Sequence, residues 1–121
     1  MSFHERLRPG FSLLLTLLLA LPACSGPEES GLADAAHDIA AGTLRLKSYG
    51  LPAAWHPEYA RLMKQRFGVT VQGVAGCDVN EGLRRSVDAY NDRMEREIIR
   101  RFGLPAYRAI EAEAQQAPGG R

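Results

Sequence analysis

A stripe of apolar residues in the second half of the chain constrains the fold more than any other feature. Its members recur at spacings of four and three residues: Val79, Leu83, Val87, Tyr90, Met94, Ile98 and Phe102. Positions three and four residues apart share one face of an α-helix. The stripe therefore predicts one long amphipathic helix, and its apolar face needs other elements to cover it.

A turn with a cysteine precedes this helix. In Asp78-Val-Asn-Glu81, Asp78 can accept a hydrogen bond from the backbone N–H of Glu81, and the Glu81 side chain can reach back, as in a capping box. Gly76 and Cys77 stand just before it. A thiolate is favoured at the positive end of a helix, but the neighbouring Asp78 competes for the same N–H groups, and free cysteines are commonly buried. We predict a buried, sterically protected cysteine in a crowded turn; a reactive thiol is the alternative.

The residues before the long helix predict a strand, a helix and a second strand. Apolar and polar residues largely alternate at 43–49, which predicts a strand with one solvent-exposed face. The β-branched segment 69–74 predicts a second strand. Residues 57–67 have an apolar face at helical spacing and end at Gly68. This order favours a parallel pair with a crossover connection. We predict a small two-layer α/β domain with a β-α-β core, one long C-terminal amphipathic helix and a short final helix.

Two predicted helices end in the same way, in Arg66-Phe67-Gly68 and Arg101-Phe102-Gly103. Each places a glycine where a left-handed residue commonly ends a helix, so we interpret the similarity as a shared stop signal rather than a repeat. Pro105 is expected to block continuation of the long helix. Gly73, inside the second predicted strand, is a candidate bulge or point of close approach.

The first 23 residues predict an export signal. Its apolar run, Phe11–Leu21, is shorter than the roughly 20 residues that a membrane-spanning helix needs. The run leads to Leu21-Pro-Ala-Cys24, which resembles the bacterial lipoprotein box, where the cysteine becomes the N-terminus and carries the lipid. The resemblance implies lipidation of Cys24 and attachment to the bacterial membrane, namely the outer membrane facing the periplasm in a Gram-negative cell. Cleavage near Ala23 without lipidation is the alternative.

Cleavage before Cys24 would leave 98 of the 121 residues, with equal numbers of basic and acidic side chains. A neutral balance gives no reason to expect nucleic acid as a partner. Residues 24–33 are acidic and contain Gly, Pro and Ser, which predicts a flexible tether. We predict a single small α/β domain at 34–116, opening with a short helix at 34–41, and a disordered tail at 117–121.

Few side chains can carry chemistry. Lipidation of Cys24 would leave Cys77 as an unpaired thiol, which is unusual in an oxidising compartment, so redox sensing or disulfide exchange is the alternative role for this residue. His37, His56 and Cys77 lie on separate segments without the spacing of metal ligands, so we predict neither a metal site nor a cofactor.

Two residues are candidate contacts for a ligand or partner. Trp55 lies in a proline-bounded connection, where an aromatic ring either anchors a ligand or covers the core. Asn91 follows the core-facing Tyr90 and can bond a loop backbone or be exposed. The charges of the long helix mix both signs and predict a self-paired, solvated face, with pairs at Glu81 and Arg85, Asp92 and Arg96, and Glu97 and Arg101.

The domain resembles the FEKKY domain family of small bacterial envelope proteins. Besides the element order, the resemblance rests on Gly50-Leu-Pro, Ala75-Gly-Cys77, Tyr90-Asn91 and the closing run Ile98-Ile-Arg-Arg-Phe-Gly103. In that run the basic pair and the aromatic residue match the family's Phe-Glu-Lys-Lys-Tyr, whereas Ile99 replaces the acid. The resemblance covers Asp38 to Gly103 and implies the fold and an envelope location, since the family has no assigned activity.

The sequence contains no paired carboxylates at catalytic spacing, no nucleophile with a base and no phosphate-binding loop. This favours a protein that is not an enzyme. We predict a membrane-anchored envelope lipoprotein that acts as a binding or interaction module of unknown ligand, with an envelope protein as a possible partner. A thiol-dependent role for Cys77 and a purely structural envelope lipoprotein are the alternatives.

Overall fold

The structure is a computed structural model and describes residues 26–118. These residues form four helices and two strands: α1 Pro27–Ala40, β1 Arg45–Tyr49, α2 His56–Phe67, β2 Thr70–Ala75, α3 Glu81–Phe102 and α4 Leu104–Gln116. Most of the described residues are helical, and the two strands pair in parallel. A small α/β fold with parallel strands is therefore confirmed. Within the described part of the chain, no helix is long and apolar enough to cross a membrane.

The core lies where the four helices meet the two strands. Its buried residues are Ala35, Leu44, Leu46, Leu62, Met63, Val69, Tyr90, Met94, Ile98, Ile110 and Ala114. Val87, Tyr90, Met94 and Ile98 of the predicted stripe are buried on α3, while Val79 precedes the helix. The four helices and β1 each contribute at least one of these residues, and α3 supplies the largest share, in keeping with its contacts to α1, β1 and α4.

Helix α1 begins at Pro27, seven residues before the predicted start at Asp34. Residues 27–33 are therefore helical, and the prediction of a flexible tether is wrong for them. Proline suits the first helical turn, and the acidic residues after it suit the positive end of the helix. The deciding contact is at Gly31, which is buried and where an added Cβ would overlap the backbone carbonyl of Ser86 on α3. Gly31 therefore permits close contact between the backbones of α1 and α3, whereas the sequence pattern predicts a flexible tether at this position.

Helices α1 and α3 run in the same direction. Pro27 lies beside Gly82, Gly31 contacts Ser86, and the hydroxyl of Tyr90 donates to the carboxylate of Asp38 at 2.6 Å. Burial of the ring and this hydrogen bond both raise the pKa of Tyr90. The N-terminal ends of both helices therefore lie at one end of the domain.

The polar face of β1 is partly covered by α1 rather than fully exposed to solvent. Arg45 lies 3.8 Å from the carboxylate of Asp38, and Lys47 lies 3.8 Å from that of Asp34. The ammonium of Lys47 also lies 3.9 Å from the centre of the Tyr90 ring. The docking of α1 along α3 explains the difference, because it places both acids against the face that we predict to be solvated.

The two matching helix ends meet in space. The rings of Phe67 and Phe102 stack with their centroids 4.3 Å apart. Gly68 is left-handed (φ 68°, ψ 15°), as predicted, but Gly103 has φ 89° and ψ 146°, outside the left-handed helical region. Gly103 differs because α4 starts immediately after it, with Pro105 in its first turn rather than as a block.

Helix α3 starts at Glu81, and its N-cap is Asn80 rather than the predicted Asp78. The Asn80 side chain accepts a hydrogen bond from the backbone N–H of Leu83 at 2.8 Å. The predicted capping box is therefore wrong, because Asp78 lies two residues upstream of the extended residue that opens the helix. Asparagine and aspartate are both good caps, so the sequence alone permitted either register.

Glu97 is the buried charged residue of α3. Its carboxylate accepts hydrogen bonds from Arg100 at 2.7 Å and from Arg101 at 2.7 Å, and these bonds lower the pKa of Glu97 to about 2. The predicted pair of Glu97 with Arg101 is confirmed. Arg96 instead donates to the backbone carbonyl of Asp92. Self-pairing on the helix is thus concentrated at its C-terminal end.

Substitution of Gly31 by Ala should destabilise the protein by about 1–3 kcal/mol, because the methyl group has no room against the Ser86 carbonyl. Gly82→Ala is the matched control, since a Cβ there meets its first neighbour at 3.4 Å. Alanine is the better helix former, so this control should keep the wild-type stability or gain up to about 1 kcal/mol. Urea unfolding followed by circular dichroism measures both, and an unchanged stability in Gly31→Ala would contradict the proposed packing of α1.

Candidate functional site

A pocket of about 370 Å³ lies where both strands end and α2 begins. Its lining comes from the end of β1, from alternate residues of β2, from the β1–α2 connection and from the first turns of α2: Ser48, Tyr49, Gly50, Leu51, Pro52, Ala53, His56, Ala60, Val71, Gly73 and Ala75. The carboxyl ends of parallel strands are the usual place for ligands in open α/β sheets. This pocket, named the strand-end pocket, is the candidate functional site.

Small side chains create the space in the strand-end pocket. Ala60 on α2 faces Gly73 and Ala75 on β2 across it. A Cβ added at Gly73 would find its nearest neighbour, the Ser48 hydroxyl, 4.0 Å away, so Gly73 is not a point of close approach. The register does shift beside it, between Ser48 and Tyr49 of β1. Larger residues at these positions would fill the pocket.

The polar groups of the pocket are few and partly committed to other bonds. The Tyr49 hydroxyl donates to the carboxylate of Asp88 on α3 at 2.8 Å, and this bond raises the pKa of Tyr49. The Ser48 hydroxyl donates weakly to the carbonyl of Gln72 at 3.5 Å. His56, in the first turn of α2, offers an imidazole at the rim. Apolar lining with a few polar groups suits binding of a small, mainly apolar ligand.

The predicted turn residues lie next to this pocket but do not form a crowded site. The backbone carbonyl of Gly76 accepts from the N–H of Gly50 at 3.1 Å, so the turns after β1 and β2 are tied together. A Cβ at Gly76 would meet no atom within 4 Å, and Cys77 is exposed. The prediction of a buried, protected Cys77 is wrong. Helix α3 begins four residues later, at Glu81, so the turn that contains Cys77 is exposed to solvent. Asp78 is exposed as well.

Trp55 borders the strand-end pocket without lining it. Its ring packs edge-on against the ring of Tyr59, with centroids 5.8 Å apart, and belongs to the apolar layer against the core. The interpretation of Trp55 as a cover for the core is therefore confirmed. A ligand in the pocket would contact the neighbouring residues of the same connection rather than this ring.

Asn91 makes two hydrogen bonds to a single residue of β1. Its carbonyl oxygen accepts from the backbone N–H of Lys47 at 2.9 Å, and its amide nitrogen donates to the carbonyl of Lys47 at 2.7 Å. The predicted bond to the backbone is confirmed, although the partner is a strand rather than a loop. The Asn91 amide takes the place of a neighbouring strand at this edge, and leaving both backbone groups unpaired would cost about 1–3 kcal/mol each if they stayed buried.

A second concavity, of about 380 Å³, lies between α1 and α3. It is lined by Glu28, Leu32, Arg85, Asp88, Ala89, Asp92 and Arg96. Its charged side chains include both acids and bases, so they indicate no preference for an anionic or a cationic ligand. Within residues 26–118, no group of three or more His, Cys, Asp or Glu side chains is placed to hold a metal ion.

Comparison of this chain with protein-family models, with curated proteins and with solved structures finds no match. The resemblance to the FEKKY family stays a prediction, as does the lipoprotein box. Cys24 and the export signal lie outside the described residues.

The sequence located this site only indirectly. It singled out Trp55 and the Gly76-Cys77-Asp78 turn, which adjoin lining residues of the strand-end pocket in the chain, and Asn91, which bonds the edge of β1 and is not among the lining residues. The lining residues were missed because alanine, glycine and serine carry no chemical signal of their own. The general rule that parallel strands bind ligands at their carboxyl ends could have found them.

Native Cys77 should react with a thiol reagent such as a maleimide about as fast as it does in urea, because no structure has to open first. Cys77→Leu should change the free energy of unfolding by less than about 0.5 kcal/mol, as expected for an exposed site. The labelling is followed by mass spectrometry on the Cys24→Ala variant, which has no other thiol. Slow labelling in buffer with fast labelling in urea would contradict the exposed placement.

Proposed function

We propose that the protein is an exported envelope lipoprotein, anchored through a lipid on Cys24, whose domain is a non-enzymatic binding module. The ligand is a small, mainly apolar molecule with one polar group, and it binds in the strand-end pocket. The frame of the module is a β-α-β core of β1, α2 and β2, covered by an amphipathic α3. An envelope protein that supplies or receives the ligand would be its partner.

The anchor is supported by the sequence and is compatible with the position of the domain. Leu21, Ala23 and Cys24 match the lipoprotein box, and helix α1 begins at Pro27, so the export signal ends before the folded part begins. Serine at position 25 favours sorting to the outer membrane, because aspartate usually marks retention in the inner membrane. That step depends on the lipoprotein resemblance alone.

The strand-end pocket is the observation that carries the binding proposal. Its volume of about 370 Å³ lies within the range of small-molecule sites, roughly 300–1,000 Å³. Its lining is mainly small and apolar, and Ser48, Tyr49 and His56 are its polar side chains. These groups form no arrangement of a nucleophile with a base, so binding is the chemistry that they support best.

A thiol-dependent role for Cys77 is the second candidate function, and one observation favours it. Cys77 is exposed and lies in the turn that is tied to the rim of the strand-end pocket through Gly76 and Gly50. A thiolate there could attack a disulfide of a partner and form a mixed disulfide, while the other sulfur of that disulfide leaves as a thiolate. Recovery of such a disulfide from acid-quenched cells would put this role ahead of ligand binding.

Replacement of Cys24 by Ala should release the protein from the membrane, because it removes the atom that carries the lipid. The intact protein is expected in the detergent phase of a detergent phase separation, and the variant in the aqueous phase or as unprocessed precursor. Cys77→Ala is the matched control and should stay in the detergent phase. Equal partition of the intact protein and Cys24→Ala into the aqueous phase would overturn the proposed anchor.

The ligand proposal is tested with octanoate and hexanol as probes on the aqueous Cys24→Ala protein. Each probe combines an apolar chain with one polar group, charged in octanoate and neutral in hexanol. Saturable amide shifts are expected at Ala53, Gly73 and Ala75 in nuclear magnetic resonance titrations, because these residues line the pocket. A preference for octanoate would indicate that His56 and the α2 N-terminus select an anion.

Gly73→Leu should abolish these shifts by filling the pocket, since a Cβ at Gly73 has room. Gln72→Leu is the matched control, because it adds leucine to the same strand at an exposed position outside the pocket lining, and it should bind as the parent does. Binding that survives Gly73→Leu, or shifts absent in the parent protein, would remove the strand-end pocket as the site.

A further inference from the structure

Leu51 is the most exposed large apolar side chain of the described residues, at 84%. It lies in the β1–α2 connection, between Gly50 and Pro52, at the rim of the strand-end pocket. A single exposed leucine is ordinary on a protein surface and by itself indicates no partner. A role for Leu51 follows instead from its position at the end of the domain where α1 begins.

Two contacts and the order of the chain place the β1–α2 connection at the end of the domain where α1 begins. Pro27, the first residue of α1, lies beside Gly82 in the first turn of α3. The N–H of Gly50 donates to the carbonyl of Gly76, in the turn that leads into α3. Leu51 follows Gly50 directly. The connection, the turn before α3 and the start of α1 therefore share one end of the molecule.

The run of β1 along α3 leads to the same conclusion. Lys47 bonds Asn91, and Tyr49, two residues later, bonds Asp88. The strand therefore advances toward the N-terminal end of α3 and delivers Leu51 beyond that point. Ala40, the last residue of α1, lies at the opposite end, about 20 Å from Pro27 along the helix axis.

The chain between the proposed lipid and this end is short. Two residues, Ser25 and Gly26, lie between Cys24 and Pro27, and the three extended steps from Cys24 to Pro27 span about 11 Å at most. The headgroup region on each side of a bilayer is about 5–8 Å thick. A lipid on Cys24 would therefore hold the end of the domain with Pro27 at the level of the headgroups.

We propose that the end of the domain formed by the β1–α2 connection and the turn before α3 faces the bilayer, and that Leu51 inserts into it. The proposal depends on the lipid anchor of the proposed function. The contact is apolar rather than electrostatic, because Glu28, Glu29, Asp78 and Glu81 outnumber Arg84 and Arg85 near this end. The mouth of the strand-end pocket, which has Leu51 at its rim, then lies close to the membrane surface.

Fluorescence quenching on the lipidated protein in phosphatidylcholine vesicles tests this placement. A bimane label is attached at Leu51→Cys in a Cys77→Ser background, where the lipid occupies the sulfur of Cys24. The matched control carries the label at Ala40→Cys, an exposed position at the far end of α1. Brominated phosphatidylcholine should quench the label at position 51 several-fold more than the label at position 40, and added salt should not change this difference.

The native protein supplies a second readout that needs no label. Trp55 is its single tryptophan and belongs to the same connection. Brominated lipid should quench Trp55 in the wild type, and Leu51→Asp should reduce this quenching by a factor of two or more. The variant should fold normally, because Leu51 is exposed.

Flotation with the vesicles separates the two proposals. Wild-type protein that does not float lacks the anchor, and the proposed function and this placement both fall. Protein that floats but shows equal, weak quenching at positions 51 and 40 keeps the anchor and overturns the placement. That second outcome would leave the Leu51 end free for a protein partner.

Discussion

The contact between Gly31 on α1 and the backbone of Ser86 on α3 determines much of this structure. Because glycine permits the two backbones to touch, α1 lies along α3 in the same direction and buries Ala35. The docked helix brings Asp34 and Asp38 to the polar face of β1 and to the hydroxyl of Tyr90. It also makes the folded domain begin at Pro27, which leaves little chain between the domain and Cys24.

The two strands depend on α3 in a comparable way. A two-stranded sheet is marginal in water, and here Asn91 pairs with both backbone groups of Lys47 at the open edge of β1. The same arrangement sets the direction of β1, so that its carboxyl end and that of β2 meet beside the start of α2. The strand-end pocket is a product of this geometry and of the small residues at Ala60, Gly73 and Ala75.

Features that follow from local periodicity and helix stop signals could be predicted from the sequence. Features that depend on a contact between residues distant in the chain could not. The two parallel strands, the positions of helices α2 and α3 and the left-handed Gly68 were recovered because each follows from a local pattern. Gly31 appeared flexible, since only the position of Ser86 shows that its missing side chain is needed. The sequence predicted a buried Cys77 beside a helix capped by Asp78. The cap is Asn80 instead, so α3 starts farther along the chain and Cys77 is exposed. The pocket-forming residues have no signature outside the fold.

The docked α1 connects the fold to the proposed role, because with the proposed lipid on Cys24 it would hold the domain close to the bilayer rather than on a flexible tether. Isolated helices of 14 residues are marginal in water, so lasting protection of α1 amides reports docking. Hydrogen exchange on the processed protein, with the proposed lipid on Cys24, is therefore the most direct measurement. The account predicts that amides at 31–40 exchange as slowly as those of the buried turns of α3. Exchange of that segment at the rate of an unstructured chain, with α3 still protected, would contradict it.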